Sequence, residues 1–320
     1  MRKVIKMIIK NNSLEVLREC TYEKNEDLNA MVSNNLYLSV IATNACQKNC
    51  PYCINSLTDR SLSLPYEKAT ENIKKATVKY GIKEAVILGG EPTLYPRLID
   101  LVKFLKTDCG LRRVGFTTNG IKLTNDEFLI DLIKSEIDFI NISYHQDDEF
   151  ISYEQLKQIR KVFKEYATEN QKMRVNTNVW KGNHDNFAEL LTWLDHISLC
   201  CDEIRLSNII HKDDFSVNSQ AVEEAEKMYM KDNEYENLFG KLIDYYKNDY
   251  TIIYNPEALG FVNYYLIPKV VPIIVNWNID SKVSEQICEN DLFNKKIHTV
   301  KCLVSGDISL SWNTGNIVDL

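Results

Sequence analysis

The sequence has no excess of positive charge: 38 Lys and Arg stand against 45 Asp and Glu, a formal net charge of −7. Phosphate neutralisation supplies most of the affinity of a general nucleic-acid binder, so this balance argues against such a role. Long apolar runs are also missing. The stretch after Met1-Arg2-Lys3 is broken by Lys6 and Lys10, and neither a signal peptide nor a membrane span is predicted. Internal repeats and low-complexity linkers are absent. So is a disulfide framework, because the nine cysteines (20, 46, 50, 53, 109, 200, 201, 288 and 302) are odd in number and unevenly spread. A reducing, cytoplasmic compartment is expected. What the chain does have is ordinary globular composition: 320 residues, 44% of them hydrophobic, enough for a substantial core.

Three of the cysteines fall together in Cys46-Gln47-Lys48-Asn49-Cys50-Pro51-Tyr52-Cys53, directly after the apolar run 36–43. That arrangement predicts a short ligand loop at the C-terminal end of a strand. Thiolates are the normal ligands of iron–sulfur clusters, and a cubane needs four attachment points. Three local cysteines leave one iron open to a ligand that is not protein. Zinc is the other metal that soft thiolates suit, but it usually takes a fourth Cys or His, and the histidine nearest in sequence is His145. A structural zinc or electron-transfer protein is therefore the non-catalytic alternative. The spacing, with Tyr52 directly before the last thiol, resembles the CxxxCxxC loop of the radical S-adenosylmethionine (radical SAM) superfamily. In that family the open iron is chelated by the amino and carboxylate groups of S-adenosylmethionine.

From residue 36 to about 209 the pattern alternates strand and helix, and counting from Tyr37 gives six strands, each followed by a helix. Pairs Thr124/Glu127 and Ser152/Gln155 match capping boxes opening two of the helices. Repeated β-α units imply right-handed crossovers and a parallel sheet, either doubly wound or a curved partial barrel. The resemblance implies the second: a (β/α)6 partial TIM barrel with the cluster loop after its first strand.

Parallel α/β folds place their chemistry at the C-terminal strand ends. After the second strand stands Gly89-Gly90-Glu91-Pro92-Thr93, where glycines permit close backbone approach and Glu91 supplies an acceptor. It resembles the family's GGE motif, which binds the amino group of S-adenosylmethionine. Thr117-Thr118-Asn119-Gly120 after the third strand is similar to the family's TNG element, which makes Thr118 and Asn119 cofactor-site candidates. Ser143, ending the fourth strand, is the candidate for the methionyl carboxylate or ribose by the same resemblance. Asn176 and Asn178 share one face of the fifth strand and Arg205 lies in the sixth, all available to an adenosyl pocket or a substrate cavity. His145 reads as a general base, a substrate contact or a structural histidine.

The expected domain organisation is an N-terminal hairpin and connector at 1–35, the core at 36–209 and an extension at 210–320 that roofs the barrel. Residues 2–20 are too short for a leader-peptide recognition module. In the extension, helices are predicted over Ala221–Met230 and Tyr235–Tyr246, and Pro268 and Pro272 favour a loop or edge strand near Val270–Trp277. Asp307–Trp312 and Gly315–Val318 look like a hairpin similar to the start of SPASM or twitch extensions, without enough cysteines for a second cluster. Cys288 and Cys302 are candidate hydrogen-atom donors to a substrate radical. The resemblance implies a [4Fe–4S] cluster, S-adenosylmethionine and an external one-electron reductant such as flavodoxin or ferredoxin. It further implies a 5′-deoxyadenosyl radical that abstracts hydrogen from a peptide or small metabolite, with a nucleotide or RNA as the alternative.

Overall fold

The computed structural model describes residues 37–53, 59–145, 150–209, 226–246, 251–258, 261–267, 273–278, 299–310, 317–318 and 320. The predicted N-terminal hairpin and Cys288 lie outside them, as do 221–225, the first half of the helix predicted over Ala221–Met230. The chain divides into two compact units, one holding Asn35–Tyr144, Asp148–Arg174 and Glu285–Leu320, the other His145–Asp147 and Val175–Ser284 together with the N-terminal residues.

In the first unit the strands β1 (Tyr37–Thr43), β2 (Glu84–Gly89), β3 (Arg113–Thr118) and β4 (Phe139–Ser143) run parallel in that order. Between them lie α1 (Tyr66–Tyr80), α2 (Leu98–Thr107) and α3 (Asp126–Lys134), and α4 (Tyr153–Tyr166) follows β4. Alternation of side chains along each strand explains the layering. Val40, Ile87, Phe116 and Ile140 are register partners across the sheet and each is fully buried. The apolar stripes of α1 (Ala69, Ile73, Ala76) and α2 (Leu98, Leu101, Val102, Leu105) are buried too, with α2 packing by β3. Each large aliphatic side chain so buried contributes about 1.5–3 kcal/mol relative to an exposed one.

Two local expectations need adjustment. Ser152 and Gln155 form the predicted capping box at α4. At α3, however, the cap is Asn125, whose side chain accepts from Phe128 N–H, while the Thr124 hydroxyl donates to Ile121 O and closes a preceding 3-10 turn. The C-terminal residues also do more than form a hairpin. Residues Thr299–Cys302 (β10) lie parallel beside β1, and Ile308–Ser309 (β11) pairs antiparallel with β10. Ser309 also bridges Ile317, and Val318 N–H donates to Ile308 O.

β5 spans Lys172–Val179, and its residues from Val175 belong to the second unit. There α5 (Phe187–Ile197) leads to β6 (Glu203–Asn208), then to α6 (Asp232–Tyr246), β7 (Thr251–Ala258), β8 (Phe261–Ile267) and β9 (Ile273–Asn278). Leu238, Phe239, Leu242 and Tyr246 of α6 are buried, as their spacing predicts. β9 pairs parallel with β6 and antiparallel with β8, so it is flanked on both sides rather than at an edge. The reason is position: the strand begins at Ile273, immediately after Pro272, and every ladder N–H inside it is intact.

A buried histidine gives this unit a pH response. His184 is 1% exposed in a left-handed backbone conformation (φ 59°), with its ring 4.4 Å from Trp193 and neither ring nitrogen hydrogen-bonded. Burial pulls its pKa from 6.5 down to about 4, with Asp185 opposing. The unfolded chain therefore binds the extra proton between those values, and stability present above pH 6.5 is lost as pH falls toward 4. Denaturant titration at pH 5 against pH 7 is expected to show a loss of about 2 kcal/mol, which His184→Asn removes. Asparagine accepts the same backbone conformation without titrating.

Candidate active site at the cysteine loop

The loop that bears the three thiols leaves β1 through a stem held on both sides. On one side the returning segment 59–65 zips antiparallel to it: Leu64 N–H donates to Ala42 O (2.9 Å), Asn44 N–H to Leu62 O (2.9 Å), and the Thr43 and Ser63 hydroxyls are 3.0 Å apart. On the other side the end of β2 presses directly on the stem. Gly90 N–H donates to Thr43 O and Glu91 N–H to Ala45 O, both at 2.7 Å. Only glycine fits here. A Cβ at position 90 would lie 2.3 Å from Ala45 O, and one at 89, where φ is 147°, would lie 2.2 Å from Thr43 O. The two glycines thus bring Glu91 beside the residue that precedes Cys46.

Glu91 is 1% exposed and accepts from four donors. Its Oε1 takes Thr93 N–H (3.0 Å), the Thr93 hydroxyl (2.7 Å) and the Thr118 hydroxyl (2.6 Å), while Oε2 takes Asn119 N–H (2.7 Å). A carboxylate offers about four lone-pair sites. Oε1 is therefore saturated, whereas Oε2 keeps acceptor capacity. Asn119 continues the chain of contacts, its Nδ2 donating to Gln47 Oε1 on the cysteine loop at 3.1 Å and its Oδ1 accepting from Ile121 N–H. Cys46, Glu91, Thr118 and Asn119 thereby converge at the ends of three adjacent strands.

Cys46, Cys50 and Cys53 are not disulfide-bonded and each is half-buried, and Cys53 N–H donates to Cys50 O across the turn that carries Tyr52. Burial pushes the Cys46 thiol above its ordinary value. The Lys48 N–H hydrogen bond opposes this, the charges of Glu91 and Cys50 add to it, and Arg60 opposes it. Among the described residues no three His, Cys, Asp or Glu side chains stand together as a formed metal site. The donor set fits a cubane by its chemistry: three soft thiols on one short loop.

Ser143 ends β4 half-exposed, on the same face as Asn141. Asn141, which strand patterning alone did not single out, is 5% exposed, donates to the Thr117 hydroxyl at 3.3 Å and leaves its Oδ1 without a partner. Asn176, Asn178 and Arg205 belong to the second unit. All three alternate with buried neighbours, and the Asn176 Oδ1 is buried without a partner. His145 meets the Thr177 hydroxyl at 3.0 Å through Nδ1 and packs edge-on to Trp180, a structural setting. Gln47 and Arg60 are not legible in the sequence because their contacts, to Asn119 and to the loop main chain, join residues that no local motif links, whereas Thr93 lies inside the Gly89–Thr93 turn and bonds Glu91 two residues away.

Cys302 does not sit where a hydrogen donor would be useful. As the register partner of Val40 it points to the helix-covered face, fully buried, and burial pushes its thiol up to about 12. The expectation of a radical-quenching role loses its geometric basis for this residue. Cys302→Ala is expected to leave any product and its solvent-deuterium content unchanged, and to lower stability modestly, by about 1 kcal/mol.

Residues 40–193 match the Radical SAM superfamily model. Among curated proteins the chain is similar to a probable GTP 3′,8-cyclase of Sulfurisphaera tokodaii, 32% identical over 111 residues, covering 35% of this chain and 34% of the relative. It is also similar to the GTP 3′,8-cyclase of Chlorobaculum tepidum, 28% identical over 164 residues and covering 48% and 49% of the two chains. The chain thus spans about a third to a half of the length of these relatives. Among solved structures, Streptococcus suis SuiB bound to S-adenosylmethionine superposes with a TM-score of 0.56 at 17% identity, over 93% of this chain and 69% of that one. The fold is accordingly the α/β partial TIM barrel that the strand–helix alternation and the family resemblance imply. With the superfamily match beginning inside β1 and running through the cysteine loop, GGE and TNG segments just described, residues 40–193 are a domain of the radical SAM superfamily, a family that uses a [4Fe–4S] cluster and S-adenosylmethionine.

Proposed function

We propose that this chain is a radical SAM enzyme that takes hydrogen from an unactivated carbon of a peptide or small metabolite, ending in oxidation, cross-linking, epimerisation or rearrangement. One observation carries the reading: the backbone of Gly90 and Glu91 is hydrogen-bonded to the stem of the three-cysteine loop, so both halves of a cofactor site adjoin. When bound, the cluster and S-adenosylmethionine supply an electron and a 5′-deoxyadenosyl radical, the difficult chemistry that cofactors carry.

The protein's share is binding and placement. Cys46, Cys50 and Cys53 would hold the cluster, three thiols that leave one of its four irons for the nucleotide. Glu91 Oε2, with capacity left beyond Asn119 N–H, receives the methionyl ammonium. Thr118, through its bond to Oε1, fixes that carboxylate, and Asn119 couples it to Gln47 of the loop. Tyr52 flanks the last thiol, Ser143 is assigned to the carboxylate or ribose, and Asn176, Asn178 and Arg205 are assigned to the adenosyl or substrate side. The electron comes from an external reductant such as flavodoxin or ferredoxin. No helix among the described residues is long and apolar enough to cross a membrane, and a cytoplasmic setting suits an oxygen-sensitive cluster.

A nucleotide substrate is the second reading, favoured by the similarity to GTP 3′,8-cyclases. The peptide reading draws on SuiB, which has been solved bound to the precursor peptide SuiA and superposes at a TM-score of 0.54. Carbon-deuterated candidates of both classes, GTP among them, separate the two. Label appearing in 5′-deoxyadenosine from a peptide or metabolite supports the first reading. Transfer from a nucleotide alone replaces it with the second.

A further inference from the structure

Arg60 follows the cysteine loop by seven residues and is the single basic residue in 54–65. It is exposed, and nothing in the family motifs points to it. Yet its guanidinium reaches back across the loop and donates to three acceptors there: Nη1 to Cys46 O (3.3 Å), and Nη2 to Lys48 O (3.2 Å) and Asn49 Oδ1 (3.1 Å). Its own position is fixed locally. The Asp59 carboxylate accepts from Ser61 N–H and the Ser61 hydroxyl, and the residues beyond are zipped to the loop stem. A second tie acts from elsewhere, since Lys48 lies 4.6 Å above the Phe150 ring.

We infer that Arg60 is the positioning residue of the cysteine loop, bracing the segment 46–49 from outside so that Cys46 and the backbone leading to Cys50 are ordered before the cluster binds. The benefit of such a brace is entropic. A loop carrying three metal ligands must be ordered at the moment of metal binding, and each residue fixed beforehand reduces that penalty. Carbonyls turned outward toward a guanidinium hold the backbone of 46–49 in one conformation. The planar fork of arginine suits this role: it presents several donors in a rigid array, where lysine offers a point charge on a flexible stem. The same geometry leaves the cation beside the ligand loop without placing it among the ligands.

The inference rests on the radical SAM reading for its consequence but not for its geometry, and the test separates them. Arg60→Ala, Arg60→Lys and a remote control, Lys75→Ala, are compared with wild type in two measurements. In the cluster-free protein, amide exchange of 45–50 is followed by mass spectrometry. In the anaerobically reconstituted protein, the rate of iron loss to a chelator is followed optically. Arg60→Ala is expected to speed both exchange and iron loss by about ten-fold, the equivalent of one or two net hydrogen bonds. Lys75→Ala is expected to change neither, and Arg60→Lys to recover less than half of the effect on a logarithmic scale. Equal exchange in Arg60→Ala and wild type overturns the brace, and full recovery by lysine overturns it in favour of charge alone. If wild type takes up no iron–sulfur cluster, the enzyme reading fails while the exchange comparison still decides the role of Arg60.

Discussion

Glu91→Ala is expected to lower stability by about 2–5 kcal/mol and to abolish binding of S-adenosylmethionine, the larger of the two effects we predict for single substitutions. The magnitude follows from what the carboxylate holds. Thr93 and Thr118 are 0% and 2% exposed, and truncation leaves their hydroxyls and two backbone N–H groups without an acceptor. Water cannot readily replace it in a site this closed. Glu91→Gln separates the structural share from the binding share. An amide oxygen in place of Oε1 keeps three of the four contacts, while the amide nitrogen faces Asn119 N–H and no ammonium. Its expected stability loss is about 1–2 kcal/mol, with nucleotide affinity still down at least about ten-fold. Thermal unfolding and equilibrium binding to the reconstituted protein measure the two shares. Retained affinity in Glu91→Gln would remove the assigned ammonium contact.

Gly90→Ala is expected to damage the same site by a different route. The added methyl would overlap Ala45 O and Asn44 O, at 2.3 and 2.4 Å, and both belong to backbone that cannot rotate away. Relief requires moving residues 44–45, and with them Cys46. We expect a stability loss of about 1–3 kcal/mol, typical of overpacking, together with a marked fall in iron retained after reconstitution. Gly81→Ala provides the contrast. Its φ of 65° makes alanine strained, but no atom lies within 4 Å of the new Cβ. That variant should lose about 1–2 kcal/mol and keep its iron, because α1 ends far along the chain from the loop. Equal iron contents in the two glycine variants would show that the contact at position 90 does not govern the ligand loop.

These contrasts show which parts of the molecule the amino-acid sequence announces. The cysteine loop and the Gly89-Gly90-Glu91 turn are legible because their chemistry is contiguous: thiols within eight residues, and glycines where backbone must approach backbone. The β/α alternation is legible because burial repeats with the periods of strand and helix, as Val40, Ile87, Phe116 and Ile140 show from four separate strands. Partners distant in sequence are not legible. β10 is four residues long, and nothing in Thr299–Cys302 announces that it will lie beside Tyr37–Val40. Arg60 is invisible for a related reason, since its acceptors are mostly main-chain carbonyls. β9 departs from the edge-strand expectation because the effect of Pro272 ends one residue before the strand begins.

Glu91 has two duties that its motif alone merges into one. Its motif suggests a ligand for the nucleotide, yet most of its hydrogen-bonding capacity joins the ends of β2 and β3. A carboxylate committed on one oxygen and open on the other is rigid before a ligand arrives, which lowers the ordering penalty of binding.

Three thiolates that leave one iron to S-adenosylmethionine are the centre of the proposed chemistry. The yield of 5′-deoxyadenosine from anaerobically reconstituted, dithionite-reduced protein tests this directly, with Cys46→Ala, Cys50→Ala and Cys53→Ala prepared in parallel. A brown wild-type protein that releases 5′-deoxyadenosine, and three variants that fall to background, is the predicted result. A colourless protein carrying zinc and releasing none, or any one of the variants matching wild type, would contradict it.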